Sequence, residues 1–173
     1  MQFKPLFDEA TLARRVAELG KEISAAIPAT DTEPLVVICI LKGAFMFAAD
    51  LVRHIKIPLE IDFMGLASYE GTKSSGEIKV TREIAARIEG RHVLVVEDIV
   101  DTGTTLDFLR EQLTRKKPKS LRFCTLLSKP EAHQTKTAIE FVGFEISREF
   151  VIGYGLDLDQ RYRELPYIAQ VVT

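Results

Sequence analysis

Hydrophobic and polar residues alternate in two different ways along the first quarter of the chain. Within residues 8–27, apolar side chains recur at the spacing of one helix face: Leu12, Val16, Leu19, Ile23 and Ile27. This pattern predicts an amphipathic helix, with Asp8 as its N-cap and Pro28 as its stop. The next apolar run, LVVICIL at 35–41, is continuous and rich in β-branched residues. Such a run is typical of a β-strand that is covered on both faces.

The same succession of strands and helices continues through the rest of the chain. Residues 42–55 predict a turn and a helix, residues 93–99 (VLVVEDI) a buried strand, and residues 104–117 another helix. Further extended segments are predicted at 57–69, 120–129, 138–144 and 150–158. The Gly/Ser/Thr/Lys-rich segment 70–80 predicts a loop. Strand alternating with helix predicts a single α/β domain over residues 1–173, built on a mainly parallel sheet that binds ligands at the carboxyl ends of its strands.

Composition and charge narrow the classes of protein that fit. The net charge of −2 gives no electrostatic footprint for bulk nucleic-acid binding. The apolar run LVVICIL is too short to span a bilayer, and the N-terminal segment lacks the apolar core of a signal peptide. Cys39 and Cys124 each lie inside an apolar run, which predicts buried thiols in reduced form. We therefore expect a soluble, cytoplasmic protein with no membrane or nucleic-acid partner.

The candidate chemistry is concentrated in residues 93–106, VLVVEDIVDTGTTL. Small residues between a buried strand and a helix let successive backbone N–H groups turn toward one anion, and the helix adds its positive end. The amides expected to hold a phosphate belong to Thr102, Gly103, Thr104 and Thr105. The alternative is an ordinary capped turn, in which Asp101 or Thr102 is the N-cap of the helix.

Three carboxylates lie in the same run, although carboxylates repel phosphate. They are Glu97, Asp98 and Asp101. A sugar phosphate as ligand would explain the combination, because its hydroxyl groups need acceptors while its phosphate needs donors. Glu97 and Asp98 can accept hydrogen bonds from two ribose hydroxyls, directly or through a divalent metal. The run therefore predicts a site that recognises both ends of a sugar phosphate.

Residues 93–106 resemble the signature of the phosphoribosyltransferase family, which has four hydrophobic residues, two acidic residues and a D-T-G-x-T loop. The Glu-Asp pair followed by Ile-Val-Asp is similar to the 6-oxopurine branch of that family. The segments LKGAFMF, SYEGTKSSGEIKV, LLSKP, FVIGYGLD and RYREL resemble the same branch in the same order. Together these segments span residues 41 to 165. Some members carry Lys at the position of Thr104, where this chain leaves phosphate binding to amides and hydroxyls.

The resemblance implies a fold, a reaction and partners. The fold would be that of the type I phosphoribosyltransferases: a twisted, mainly parallel sheet flanked by helices, a small hood formed by the N- and C-terminal segments, and a mobile flap at about residues 68–80. The reaction would transfer the phosphoribosyl group of phosphoribosyl pyrophosphate to N9 of hypoxanthine or guanine and release pyrophosphate, with Mg²⁺ as cofactor. The family forms homodimers and homotetramers. Ser68 and Tyr69 would belong to the flap and close over the site.

The resemblance also implies roles on the purine side of the site. Asp101 would be the catalytic residue that takes or holds the N7 proton of the base. Lys129 would donate to the exocyclic oxygen O6 and so disfavour adenine. Phe150 would stack on the purine ring, and the backbone of Val151 would face the 2-position. Taken alone, Lys129 would be a surface residue and Phe150 a core residue. Asp157 would be a ligand of Mg²⁺ next to the purine.

The remaining implied roles concern pyrophosphate and metal. Lys42 and Gly43 would form the pyrophosphate loop, where the family often has a non-proline cis peptide, and we predict one between Leu41 and Lys42. Arg163 would bind pyrophosphate with its forked guanidinium. Asp157, together with Glu97 and Asp98, would hold Mg²⁺.

Two alternatives stay open at the level of sequence. One is a regulator that keeps this fold but binds RNA or a protein partner, for which we would expect a basic face. The other is an enzyme of the same kind that prefers xanthine or adenine.

Overall fold

The computed structural model of the chain describes residues 2–28, 33–71 and 74–172, and the side chains of 68–71 and 74–77 lie outside this description. The α-helices are α1 (Glu9–Ala26), α2 (Phe45–His54) and α3 (Thr104–Thr114). The strands are β1 (Gln2–Phe7), β2 (Leu35–Leu41), β3 (Leu59–Gly71), β4 (Ser74–Arg82), β5 (His92–Val100), β6 (Ser120–Ser128), β7 (Phe141–Glu145), β8 (Val151–Ile152) and β9 (Ile168–Val172). The predicted α/β class is confirmed.

The central sheet has the strand order β4-β3-β2-β5-β6-β7. Strands β3, β2, β5, β6 and β7 are parallel, and β4 is an antiparallel edge strand beside β3. The central strands β2 and β5 are parallel neighbours, so their carboxyl ends lie at the same edge of the sheet. Parallel α/β sheets bind their ligands at this edge.

Both faces of this sheet are covered. In β2, Leu35, Val37 and Cys39 pack into the cluster that contains α1 and α2. The alternate residues Val36 and Ile38 face the cluster that contains α3. This period-2 division explains why β2 is a continuous apolar run, since every side chain of the strand meets a core.

Helix α1 forms as its periodicity predicts. The Asp8 side chain accepts a hydrogen bond from the Thr11 amide (2.8 Å), which caps the first turn. Its buried face contains four of the five predicted apolar residues, Leu12, Val16, Leu19 and Ile23, whereas Ile27 is the C-cap beyond the helix and is half-buried. Arg15 fixes the helix to β7 by donating to the carbonyls of Gly143 (2.9 Å) and Val142 (2.8 Å).

A second sheet joins the two ends of the chain, in the order β1-β9-β8, and is called the terminal sheet below. Strand β1 runs antiparallel to β9, with Gln2 opposite Val172. On its other side, β9 pairs with β8. The sequence pattern predicted neither β1 nor β9.

Several predicted boundaries were wrong. In the predicted loop 70–80, residues 70–71 belong to β3 and 74–80 to β4, and 72–73 lie outside the described residues. Strand β4 forms because Ile78 and Val80 alternate with polar residues and pair with β3. The predicted strand 150–158 is reduced to β8, because Gly153 and Gly155 adopt positive φ and turn the chain. Helix α3 ends three residues earlier than predicted, where Arg115 is its C-cap.

No helix in the described ranges combines the length and the hydropathy that a bilayer crossing requires.

Candidate active site

The site begins where β2 and β5 end side by side. Gly43 follows β2, and Asp98 lies near the end of β5. A Cβ added to Gly43 would lie 1.6 Å from Asp98 Oδ2, and one added to Gly155 would lie 2.1 Å from the carbonyl oxygen of Gly43. Only glycine leaves room for these approaches. Three segments distant in sequence therefore converge on one point, and the Leu41–Lys42 peptide beside it is cis, as predicted.

The candidate phosphate loop, residues 101–105, connects β5 to α3. Gly103 has φ +85°, a conformation that glycine adopts without penalty, and it is the N-cap of α3 without a side-chain cap. The alternative in which Asp101 or Thr102 caps the helix is therefore wrong. The first amides of α3 have no partner within the helix and lie at its positive end, as an anion site requires.

The loop is supported from outside by the segment after β6. The Gln134 amide donates to the Thr102 carbonyl (2.8 Å), and a Cβ on Gly103 would lie 2.0 Å from the Thr135 methyl carbon. Thr135 itself donates to Asp107 in the first turn of α3 (2.5 Å). Within the loop, the hydroxyls of Thr102 and Thr104 are 3.0 Å apart. The Thr104 amide also donates to the Thr102 hydroxyl oxygen at 3.4 Å, a long hydrogen bond compared with the usual range of about 2.7–3.2 Å.

Glu97 and Asp98, the acidic pair, are both withdrawn from solvent. Burial, and then the charge of Asp98, raise the pKa of Glu97 well above its ordinary value. Burial also raises the pKa of Asp98, although hydrogen bonds from the amides of Ile99 and Asp98 and the Arg163 charge oppose it. Glu97 Oε1 has no hydrogen-bond partner among the described residues. A buried carboxylate oxygen without a partner is costly, so the acidic pair is arranged for a ligand.

A cavity of about 220 Å³ lies against the acidic pair. Thr105 of the phosphate loop and Leu66, Ala67 and Ile78 at the base of β3 and β4 also line it. The cavity therefore joins the acidic pair, the phosphate loop and the base of the predicted flap. Of the flap itself, Ser68 pairs with Ile78 and Tyr69 with Glu77 through the backbone, and the side chains of Ser68 and Tyr69 are outside the described residues.

Asp101 and Lys129 come from the ends of neighbouring strands. Lys129 Nζ is 3.3 Å from Asp101 Oδ2, and the Lys129 amide donates to the Val100 carbonyl (2.9 Å). The Lys129 side chain is 12% exposed whereas that of Asp101 is 56% exposed. The lysine is therefore held in the floor of the site, and the carboxylate faces the opening.

On the other side of Asp98, two cations approach each other. Arg163 is 2.9 Å from Asp157 and donates to the Gly155 carbonyl (2.7 Å). Lys42 Nζ donates to Gln160 Oε1 (3.1 Å), and Arg163 Nη2 donates to the same atom (3.2 Å). Lys42, Gly43, Asp157 and Arg163 thus form one cluster, although the chain separates them widely.

Phe150 and Val151 lie at the start of β8, the third strand of the terminal sheet. Phe150 is 52% exposed, and its ring contacts no other described aromatic ring. Its carbonyl accepts a hydrogen bond from the Val171 amide (2.8 Å), so β9 fixes its backbone. Val151 is buried in β8. Among the described residues, no hydrogen bond joins Phe150 or Val151 to Lys129.

Gln160, Thr135 and Asp107 were not predicted as parts of the site. Thr135 and Asp107 interact with each other across 28 positions, and Gln160 meets Lys42 across 118 positions. No local pattern marks Gln160, because the dipeptide Asp159-Gln160 lacks the glycine that identifies such turns from sequence.

These features define an α/β protein that gathers a candidate phosphate loop, an acidic pair and two cations at one edge of a parallel sheet. The model of the phosphoribosyl transferase domain family matches residues 4–159. Hypoxanthine phosphoribosyltransferase of Haemophilus influenzae is 45% identical over 168 residues, which cover 96% of this chain and 94% of that protein. The chain belongs to the phosphoribosyltransferase family, as the sequence resemblance predicted.

Solved structures agree with this assignment. A hypoxanthine-guanine phosphoribosyltransferase from Bacillus anthracis, with HEPES in its active site, is 46% identical, with a TM-score of 0.92 over 99% of this chain and 100% of that one. Hypoxanthine phosphoribosyltransferase from Trypanosoma cruzi, in complex with its product IMP, is 40% identical, with a TM-score of 0.90 over 96% of this chain and 92% of that one.

Proposed function

We propose that the protein is a purine salvage enzyme that transfers the 5-phosphoribosyl group of phosphoribosyl pyrophosphate to N9 of hypoxanthine or guanine, giving IMP or GMP. The observation that carries the proposal is the ion pair of Asp101 with Lys129 at 3.3 Å, beside the phosphate loop. It provides an acceptor for a purine N7 proton and a donor for an oxygen at C6. Relatives that carry this activity in their names cover nearly the whole chain.

The sugar phosphate would be held by two groups of opposite character. The amides of Thr102, Gly103, Thr104 and Thr105, with the hydroxyls of the three threonines, would hold the 5′-phosphate at the N-terminus of α3. The acidic pair would accept hydrogen bonds from the two ribose hydroxyls. The cavity between the acidic pair and Thr105 supports this arrangement.

In the proposed step, N9 of the base attacks C1′ while the bond from C1′ to the pyrophosphate oxygen breaks, and the electron pair leaves with pyrophosphate. Asp101 takes or holds the N7 proton as the base becomes a nucleotide. Lys129 donates to O6. An amino group at C6 would face this ammonium with a second donor in place of an acceptor, which disfavours adenine.

Lys42, Gly43 and Arg163 are proposed to bind the leaving pyrophosphate. Glu97, Asp98 and Asp157 carry carboxylate oxygens, the ligand type that Mg²⁺ prefers, and Glu97 Oε1 has no described partner. The described residues do not bring three such side chains together around one point, so the ion would be held by one or two of these carboxylates and by oxygens of the substrate. When bound, Mg²⁺ would supply positive charge that neutralises the pyrophosphate. Charge of this kind is usually the largest single contribution to such a reaction.

The purine is proposed to stack on Phe150, whose ring is half-exposed, with its 2-position toward the backbone of Val151. The terminal sheet would be the hood that covers the base. Strands β3 and β4 would carry the flap at about 68–80, with Ser68 and Tyr69 closing over the donor. Closure would exclude water from C1′ and so prevent hydrolysis.

We also propose that the protein acts as a homodimer or homotetramer in the cytoplasm. The location is supported by Cys39 and Cys124, which are both buried and unpaired. Burial raises the pKa of the Cys39 thiol to about 12, so the thiol stays protonated at neutral pH.

The decisive experiment incubates the protein with phosphoribosyl pyrophosphate, Mg²⁺ and each common nucleobase in parallel, with nucleotide formation measured by chromatography. We expect IMP and GMP and no AMP. Turnover of xanthine in preference to both would identify a xanthine enzyme, and turnover of uracil alone would overturn the assignment. Absence of turnover with every base would favour a regulator that retains the fold.

A further inference from the structure

The side chain of Gln160 stands between the two cations of the candidate pyrophosphate site. Its amide oxygen accepts hydrogen bonds from Lys42 Nζ at 3.1 Å and from Arg163 Nη2 at 3.2 Å. Its backbone amide donates to Asp157 Oδ2 at 2.8 Å. A single neutral oxygen thus holds together two like charges that would otherwise repel each other.

The backbone at Gln160 is not the one that this residue type prefers. Leu158 and Arg161 exchange backbone hydrogen bonds of 3.1 and 3.0 Å, which closes a two-residue turn over Asp159 and Gln160. Both central residues have positive φ, +52° and +64°, the φ pattern of a type I′ turn. Such turns strongly favour Asp-Gly or Asn-Gly, because an L side chain is strained in this region.

A second two-residue turn lies just before this one in the chain and can be compared with it. Gly153 and Leu156 form an equivalent bridge around Tyr154 and Gly155, whose φ values are +50° and +103°. There the second central position is glycine, as the geometry favours. Gln160 occupies the equivalent position without the conformational freedom of glycine. We therefore look for a role of its side chain other than forming the turn.

The two cations depend on Gln160 to different degrees. Arg163 is also held by the Gly155 carbonyl at 2.7 Å and by Asp157 at 2.9 Å. Lys42 Nζ has Gln160 Oε1 as its partner among the described residues. A lysine side chain is long and flexible, and its ammonium loses considerable freedom when it is fixed. Gln160 is therefore the group that directs Lys42 toward Arg163.

We propose that Gln160 is a positioning residue for the leaving group: its amide holds the Lys42 ammonium convergent with Arg163 before the donor arrives, so that pyrophosphate meets both cations already aligned. The inference rests on the proposed function in one respect, that the anion is pyrophosphate. Preorganisation of this kind strengthens binding because the ordering cost is met before the ligand binds.

The test uses Gln160→Gly, which should fold at least as well as the wild type because glycine suits the turn. We expect an unchanged or higher melting temperature. The Kd of inorganic pyrophosphate with Mg²⁺, measured by calorimetry, and the KM of phosphoribosyl pyrophosphate should each rise about three- to ten-fold, the scale of one ordinary hydrogen bond. The KM of hypoxanthine should stay within about two-fold.

Asp159→Gly is the matched control, because it places glycine in the same turn but keeps Gln160. It should leave the pyrophosphate Kd and both KM values unchanged. A double-mutant cycle with Lys42→Ala then asks whether Gln160 acts through Lys42: in the Lys42→Ala background, Gln160→Gly should have little further effect.

Three results would overturn the proposal. They are an unchanged or tighter pyrophosphate Kd in Gln160→Gly, an equal loss in Asp159→Gly, and additive effects in the cycle. The wild-type arm tests the function separately. If the wild type transfers phosphoribosyl groups and Gln160→Gly has the same constants, the role of Gln160 is rejected but the proposed function stands. If the wild type binds neither pyrophosphate nor the donor, both are rejected.

Discussion

At the scale of single residues, the buried acid Glu97 links the chemistry of the site to the stability of the protein. Glu97 is 6% exposed, and burial, then Asp98, raise its pKa well above the ordinary 4.5. The folded protein therefore binds this proton more tightly than the unfolded chain does. The stabilisation is fully present below pH 4.5 and is lost as the pH rises through the folded pKa.

Glu97→Gln removes this titration. The quantity to follow is the free energy of unfolding of Glu97→Gln minus that of the wild type. Above pH 4.5 this difference should increase by about 1.4 kcal/mol per pH unit, until the pH passes the folded pKa of Glu97. Urea unfolding at a series of pH values, without divalent metal ions, measures the difference. Glu111→Gln, at an exposed position of α3, is the control and should show a nearly constant difference. A constant difference for Glu97→Gln as well would contradict the burial argument.

Asp101 is the second residue with a separable effect. Because Gly103 and not Asp101 caps α3, Asp101→Asn should leave the melting temperature almost unchanged. Its kcat should fall by about 10²-fold or more, the usual scale for a lost general base, with little change in the KM of the donor. Steady-state kinetics with hypoxanthine and thermal unfolding of the same preparation check both parts. An unaltered kcat would remove Asp101 from the chemistry.

At the scale of elements, Asp62 ties β3 to the segment that follows β4. Its carboxylate accepts hydrogen bonds from the amides of Phe63 (2.7 Å), Ala85 (2.6 Å) and Ala86 (2.8 Å). Burial acts to raise its pKa, but these hydrogen bonds and Arg82 outweigh burial, so the pKa lies below its ordinary value of 3.8. The stabilisation is therefore present above pH 3.8 and is lost as the pH falls through the folded pKa.

Asp62→Ala should lower the free energy of unfolding at pH 7 by about 2–4 kcal/mol, because partly buried amides lose their acceptor. Asp62→Asn should recover only part of this, since its NH₂ group would face amide donors. Chemical denaturation at pH 7 gives the values. Glu89→Ala, which breaks the exposed ion pair with Arg87, should cost less than about 1 kcal/mol. Equal losses in Asp62→Ala and Glu89→Ala would show that the amide contacts are unimportant.

The elements that the sequence predicted well are those whose pattern is local. Strand β2 matches residues 35–41, and α1 has the predicted cap and buried face, because a strand with two covered faces and a helix with one produce regular patterns. Strands β1 and β9 stabilise each other across the whole chain and have no such pattern. Glu97 and the phosphate loop were recognisable for the same local reason. Gln160 and Thr135 were not, because their partners come from distant segments.

At the scale of the whole molecule, the two sheets divide the proposed substrates between them. The phosphate loop and the acidic pair belong to the end of β5 in the central sheet. Phe150 and Val151 lie at the start of the terminal sheet, and Phe150 is held by the Val171 amide of β9. The central strand β9 has β1 on its other side, with Phe3 opposite Val171. The proposed base side therefore depends on the N-terminal strand through β9, whereas β1 reaches the proposed donor side through the contact of Phe3 with Tyr162.

Deletion of residues 2–7 should expose this dependence. Strand β9 would lose one of its two neighbours, and Phe150 and Val151 would be less well ordered. The KM of hypoxanthine should rise about three-fold or more, with a smaller change in the KM of the donor. Phe3→Ala is the control, because it removes the contact between Phe3 and Tyr162, next to Arg163, but keeps the strand. The change in the KM of the donor caused by the deletion should not exceed the change caused by Phe3→Ala. If steady-state kinetics showed the donor KM rising alone, the division of substrates between the two sheets would be refuted.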